Sequence, residues 1–193
     1  MTTWHWVRHG PTHEKTLVGW RDVPADLSDI EQIARLSAHL PDDALVVSSD
    51  LIRAIATADV LAHQTRNRLP HEPGFRELDF GIWDGLHAKD VSEQHPELSR
   101  AYWTTPGDVA PPNGESWNQA ARRINTAVDR LNAAHPDAHI IAVAHFGAIL
   151  TQVQRALDVG PKDAMAHKID NLSATEIHFG KDGWHVARIN HAP

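Results

Sequence analysis

Short apolar runs at residues 3–7, 44–47 and 140–144 alternate with helical periodicities, and this alternation leaves the chain few architectures. Residues 28–40 set Ile30, Ile33, Ala34, Leu36 and Leu40 near one helical face, and Pro41 stops the pattern. Residues 50–63 carry Leu51, Ile52, Ile55, Ala58, Val60 and Leu61 behind Ser48-Ser49-Asp50, which reads as an N-cap cluster. Residues 115–135 form a long amphipathic pattern ended by Pro136, and a helix over 146–157 follows the third apolar run directly. Residues 174–179 and 184–189 flank Gly180-Lys181-Asp182-Gly183, the mark of a hairpin. Strands alternating with helices predict an α/β three-layer sandwich: a mostly parallel mixed sheet with helices on both faces. One domain is expected over residues 1–193, interrupted by a loop-rich excursion at 97–114, where Pro106, Pro111 and Pro112 follow Pro96.

Composition narrows the function classes. Lys and Arg total 18 against 25 Asp and Glu, a formal charge of −7, which disfavours a general nucleic-acid or anionic-membrane partner. Cysteine is absent, which removes disulfides, thiol nucleophiles, zinc fingers and Fe–S clusters and fits a reducing compartment. The first residues, Met1 to Trp6, lack the basic start and apolar run of a signal peptide, and no stretch reaches the ~18 apolar residues of a membrane span. A cytoplasmic location is the expectation, with the oligomeric state left open.

The apolar runs end alike. Trp6-Val7 leads into Arg8-His9-Gly10, Val46-Val47 into Ser48-Ser49-Asp50 with Arg53 just beyond, and Val143-Ala144 into His145-Phe146-Gly147. In an open α/β sheet, ligands bind beyond the carboxyl ends of the strands. If these strands are parallel neighbours, that crevice receives two Arg, two His and the N–H-rich starts of helices. Such a cluster in an acidic protein calls for an anion, and phosphate is the natural candidate. Any one of these residues alone would read as an ordinary loop side chain; the repetition at three strand ends carries the argument.

Arg8-His9-Gly10-Pro11-Thr12 resembles the Arg-His-Gly-x-Thr signature of the histidine phosphatase superfamily, phosphoglycerate mutase-like branch. The resemblance continues in order through most of the chain: Ser48-Ser49-Asp50-Leu51 with Arg53, Ala54, Thr57 and Ala58; Glu77 with Gly81, Trp83, Asp84 and Gly85; Pro112, Gly114, Glu115 and Ser116; Val143-Ala144-His145; and Asn171, Ser173 and Thr175. It implies a metal-independent phosphomonoesterase that acts on small phosphorylated metabolites through a phosphohistidine, with no cofactor. It assigns His9 as nucleophile, Arg8, Arg53 and a protonated His145 as phosphoryl ligands, and Glu77 as general acid. The bottom-up chemistry agrees: a neutral imidazole nitrogen attacks phosphorus, nearby guanidiniums keep it unprotonated, and cations do the work of a metal. Asp79 and Asp84 are the other carboxylates near Glu77; Asp84 stands where the family carries a structural Glu.

Thr12, Lys15 and Phe146 complete the expected substrate-binding set. Lys15 replaces a common phosphate-touching Asn, Phe146 a common Gly, and Pro11 a frequent Glu. Lys15 and Arg21 together suit a second acidic group on the substrate. A cofactor-dependent phosphoglycerate mutase shares the same residues, but the resemblance associates mutases with a longer interval between Glu77 and His145. A non-catalytic phospho-ligand binding protein is the reading from another class; the retention of His9, Arg53, Glu77 and His145 weighs against it. Neither a two-His metal helix, nor a nucleophile elbow around Ser116, nor a P-loop is present in the sequence.

Overall fold

The computed structural model describes residues 1–63 and 65–193. A six-stranded sheet forms the middle layer, in the order β3-β2-β4-β1-β5-β6. Its strands are β1 (Thr2–Arg8), β2 (Leu45–Ser48), β3 (Asn67–Arg68), β4 (His139–Ala144), β5 (Ala174–Gly180) and β6 (Gly183–His191). The first four in the sheet order run parallel, while β5 is antiparallel to β1 and β6 to β5. The strands whose ends carry the cations, β2, β4 and β1, are thus adjacent and point the same way. The hairpin lies where the glycines predict it, with Gly180 paired to Gly183.

Both sheet faces are apolar because helices cover both. On one face Trp4 and Trp6 stack at 5.2 Å and Phe75 packs edge-on to each, against α5 (Trp117–Ala134) and α6 (Phe146–Leu157). The Trp4 indole N–H reaches Asn132 Oδ1 at 2.8 Å, so a large ring is buried without stranding its donor. On the other face Val7, Val46, Ile141 and Val143 meet Leu36 and Leu40 from α1 (Ile30–His39), and Ala54, Ala58 and Leu61 from α2 (Ile52–Leu61). The three-layer α/β sandwich is as the alternation predicts. Among the described residues no helix is long and apolar enough to cross a membrane.

Two local expectations fail. Residues 97–114 are not loop-rich throughout: α4 (Pro96–Thr104) follows α3 (Ala88–Gln94), and α7 (Pro161–Met165) lies further along. Pro96 occupies the first turn of α4, where a missing N–H costs nothing and the fixed φ favours the helix. Only residues 105–116, which hold the other three prolines, remain irregular. Nor does the Ser48-Ser49-Asp50 cluster cap α2. Its N-cap residue is Leu51, and the Ile52 N–H is instead taken by Asp22 Oδ1 at 2.7 Å, from a loop distant in sequence. The long helix, by contrast, opens on a reciprocal capping box between Ser116 and Gln119.

Arg66 ties the α1–α2 layer together. Its buried guanidinium donates to the carbonyls of Ser37, Leu40 and Pro41 at the end of α1, to Leu61 at the end of α2, and to Ser37 Oγ. Helix C-termini leave carbonyls without intrahelical donors, and one side chain serves two of them. Arg66→Met keeps the length and removes every donor. It should lower unfolding free energy by about 2–4 kcal/mol in urea titrations, because buried carbonyls are left unsatisfied. A loss within experimental error would show that water replaces the guanidinium at little cost.

Candidate active site

The carboxyl ends of β1, β2 and β4 open into a cleft of about 260 Å³ lined by Arg8, His9, Thr12, Arg53, Glu77 and Phe146, among others. His9 immediately follows β1. Its main-chain N–H bonds Ala144 O at 3.1 Å, and its carbonyl accepts from Asn171 Nδ2 at 2.8 Å. The ring is nearly buried, and Nδ1 donates to Gly10 O at 2.6 Å, which leaves the Nε2 lone pair unengaged. Burial, then Arg53, then Arg8 push the His9 pKa down to about 3, against the opposing pull of the Gly10 carbonyl.

Arg53, on α2, is 1% exposed and donates to the carbonyls of Gly19 at 2.7 Å and Arg21 at 2.9 Å. Arg8 donates to Ile169 O at 2.7 Å, with its guanidinium 5.4 Å from the Phe146 ring centre. Main-chain carbonyls therefore position both cations without neutralising them. Glu77 is buried, and its Oε1 accepts the N–H groups of Leu78 at 3.0 Å and Gly147 at 2.9 Å. Burial holds its carboxyl above the ordinary value, though both hydrogen bonds and both arginines pull the other way. Gly147 permits this approach: a Cβ there would stand 2.6 Å from Glu77 Oε1.

His145 lies wholly buried beside His9, ring centres 5.1 Å apart, with Nε2 2.6 Å from Ser49 Oγ. Its Nδ1 has no hydrogen-bond partner. Burial, then His9 and the arginines, hold His145 well below the usual histidine value. Lys15 departs from expectation. It is exposed and is not among the residues that line the cleft, and its carbonyl lies 3.3 Å from His87 Nδ1. Arg21 is occupied by Glu14, Thr16 and Asp84.

The neighbouring carboxylates have structural duties. Asp79 Oδ1 accepts from Gly81 N–H at 2.9 Å, in a turn where Gly81 has φ +52° and a Cβ would run into the Pro112 carbonyl. Asp84 accepts the N–H groups of Gly19 and Arg21, the same two residues whose carbonyls hold Arg53. Residue types alone did not reveal Ser49 beneath His145. Nor did they reveal Trp20 and Arg123, which both donate to the Glu77 carbonyl, at 2.8 and 3.1 Å. The only sequence signal for Trp20 was an excess of tryptophan, 7 in 193 residues.

Histidines held neutral make stability depend on pH. Folded values sit at about 3 for His9 and about 4 for His5, with His145 also lowered, against an unfolded value of 6.5. The unfolded chain binds more protons below that value, so stability is full above pH ~6.5 and is lost as pH falls toward 3, by about 1.4 kcal/mol per pH unit for each such group. Glu77 acts oppositely, above the ordinary carboxylate value. Urea midpoints should therefore drop between pH 7 and 5, and His5→Asn should make that decline shallower. An unchanged slope in His5→Asn would remove His5 from this account.

A model of the histidine phosphatase superfamily (branch 1) matches residues 5–192. A bifunctional protein of Mycobacterium tuberculosis is 31% identical over 172 residues, covering 89% of this chain and 45% of its own length, so the chain spans less than half of that relative. Phosphoglycerate mutase-like protein 4 of Arabidopsis thaliana is 30% identical over 189 residues, covering 93% of this chain and 81% of the relative. The solved structure of a mycobacterial glucosyl-3-phosphoglycerate phosphatase in complex with VO3 superposes with a TM-score of 0.84 at 27% identity, covering 97% of this chain and 98% of that one. The ordered strand-end residues, the sheet order and these matches agree, and the chain belongs to the histidine phosphatase superfamily.

Proposed function

We propose that this chain is a phosphomonoesterase that hydrolyses small phosphorylated metabolites through a phosphohistidine, without a metal ion. The observation that carries this reading is His9: its Nδ1–H is spent on Gly10, and its Nε2 is neutral and faces a cleft shared with two guanidiniums. In the first step Nε2 bonds to phosphorus as the ester P–O bond breaks, and Glu77, whose burial favours the protonated acid, gives its proton to the leaving oxygen. Arg8 and Arg53 stabilise the charge on the equatorial oxygens. His145, whose Nδ1 is unpartnered, takes up a proton as the phosphoryl dianion offsets the surrounding cations. In the second step Glu77, now a carboxylate, removes a proton from water, which attacks phosphorus. The P–N bond breaks, giving inorganic phosphate, free His9 and a reprotonated Glu77.

The mycobacterial glucosyl-3-phosphoglycerate phosphatase is known in complex with VO3, an oxyanion resembling phosphate, which supports a phosphoryl-binding role for this cleft. Cations supply the charge neutralisation a metal would otherwise provide, and no group of three or more potential metal ligands is clustered among the described residues. Turnover should persist in excess EDTA, and acid-labile, base-stable phosphoryl label should appear on His9 in rapidly quenched mixtures. His9→Ala should abolish label and turnover, while His145→Ala should slow turnover by about 10²–10³-fold. Label on His145, or activity above a tenth of wild type in His9→Ala, would reverse the assignment.

Glu77→Gln isolates the acid. It should cripple hydrolysis of alkyl phosphates, whose leaving oxygen needs a proton, and cost much less with p-nitrophenyl phosphate in the phosphorylation step. Equal losses on both substrates would reassign Glu77 to positioning.

A further inference from the structure

We propose that the cleft selects phosphomonoesters of apolar alcohols and discriminates against those bearing a second anionic group, with Trp103 as the residue that reads the alcohol. This inference rests on the phosphomonoesterase reading and extends it to substrate class. The wall divides by chemistry. Its buried end carries Arg8, Arg53, His9 and Glu77, the groups that engage a phosphoryl ester. The rest of the wall includes Leu17, Val18, Phe80, Trp103, Phe146 and Met165. These side chains offer area to an apolar group and, apart from the Trp103 indole N–H, no hydrogen-bond donor to a carboxylate.

Charge at the rim points the same way. Glu14 lines the cleft, and an anion on the alcohol would meet it. Arg21 is held by Glu14 at 3.1 Å and donates to Thr16 Oγ1 at 3.0 Å. Lys15 lies outside the wall. Among the described lining residues the only arginines are Arg8 and Arg53, and the phosphoryl group claims both. A carboxylate-bearing alcohol would give up hydration without gaining a charged partner.

Trp103 is placed to act on the alcohol. It is 37% exposed and lines the cleft. It is also fixed: Tyr102 meets it edge-on at 4.8 Å, and Phe80 lies 6.2 Å away. Tyr102 is buried against Trp83, so α4 presents a rigid indole to the cleft. A cleft of about 260 Å³ lies near the small end of ligand sites, roughly 300–1,000 Å³, and suits a phosphoryl group with one ring-sized substituent.

The test is steady-state kinetics of the purified chain on ethyl phosphate, 2-phenylethyl phosphate and 3-phosphoglycerate. Their leaving alcohols are similarly basic, so differences report recognition. Wild type should prefer 2-phenylethyl over ethyl phosphate by about tenfold or more in kcat/KM, with 3-phosphoglycerate the poorest. Trp103→Ala should bring the phenylethyl-to-ethyl ratio toward one, mainly through KM, and Trp103→Arg should raise 3-phosphoglycerate relative to 2-phenylethyl phosphate. A wild-type preference for 3-phosphoglycerate, or a ratio that survives Trp103→Ala, would overturn the proposal. Failure to turn over these three esters and p-nitrophenyl phosphate would instead overturn the phosphomonoesterase reading, and this inference with it.

Discussion

Two guanidiniums share one pocket without a carboxylate paired to either. Arg8 and Arg53 are held by the carbonyls of Ile169, Gly19 and Arg21, which orient the charge, while Glu77, Asp170, Asp22 and Asp84 act on them only at longer range. Like charges held together in a poorly solvated site repel, and only rigid surroundings keep them there. Burial and this field keep both nearby histidines neutral, and the cleft is left attractive to a dianion. In the proposed mechanism, the unprotonated nucleophile and the attraction for phosphate thus share a physical source.

Enforcing that arrangement occupies a surprising share of the chain. Asp84 fixes the 19–21 loop through two main-chain N–H groups, and that loop's carbonyls fix Arg53. Asp22, from the same loop, caps the helix that carries Arg53, so one segment governs both the side chain and its backbone. Trp20 and Arg123 hold the Glu77 main chain while the N-terminal turn of α6 holds its carboxyl group. Glu77 is lifted by burial and lowered by these contacts, a balance that favours an acid able to give and regain a proton.

The cleft pairs a charged, buried end with an apolar approach. The charged end gathers at the ends of the parallel strands and on α2, whereas the approach is built from Trp103 of α4, Phe80, Phe146, Met165 and the 14–18 segment. In the proposed reading, chemistry and selectivity therefore reside on different parts of the fold.

His9, Arg8, Arg53 and His145 were legible in the sequence because each lies within a few residues of the carboxyl end of an apolar run, and parallel strands bring those ends together. The layered α/β architecture was legible too, since a buried parallel sheet needs continuous apolar strands and amphipathic helices between them. Reading Pro96 as a break rather than a helix start hid α4, because the same fixed φ serves both roles. Lys15 illustrates the converse: its place where the family carries a phosphate-touching Asn suggested contact, but the side chain is exposed and outside the lining. The sequence by itself determined which groups gather at the strand ends and that they meet, through short-range pattern and strand direction. Only the tertiary structure decided their protonation, their supports and the character of the approach. Those depend on burial and on contacts such as Ser49 to His145, Trp20 to Glu77 and Asp22 to Ile52, between segments that local pattern does not connect.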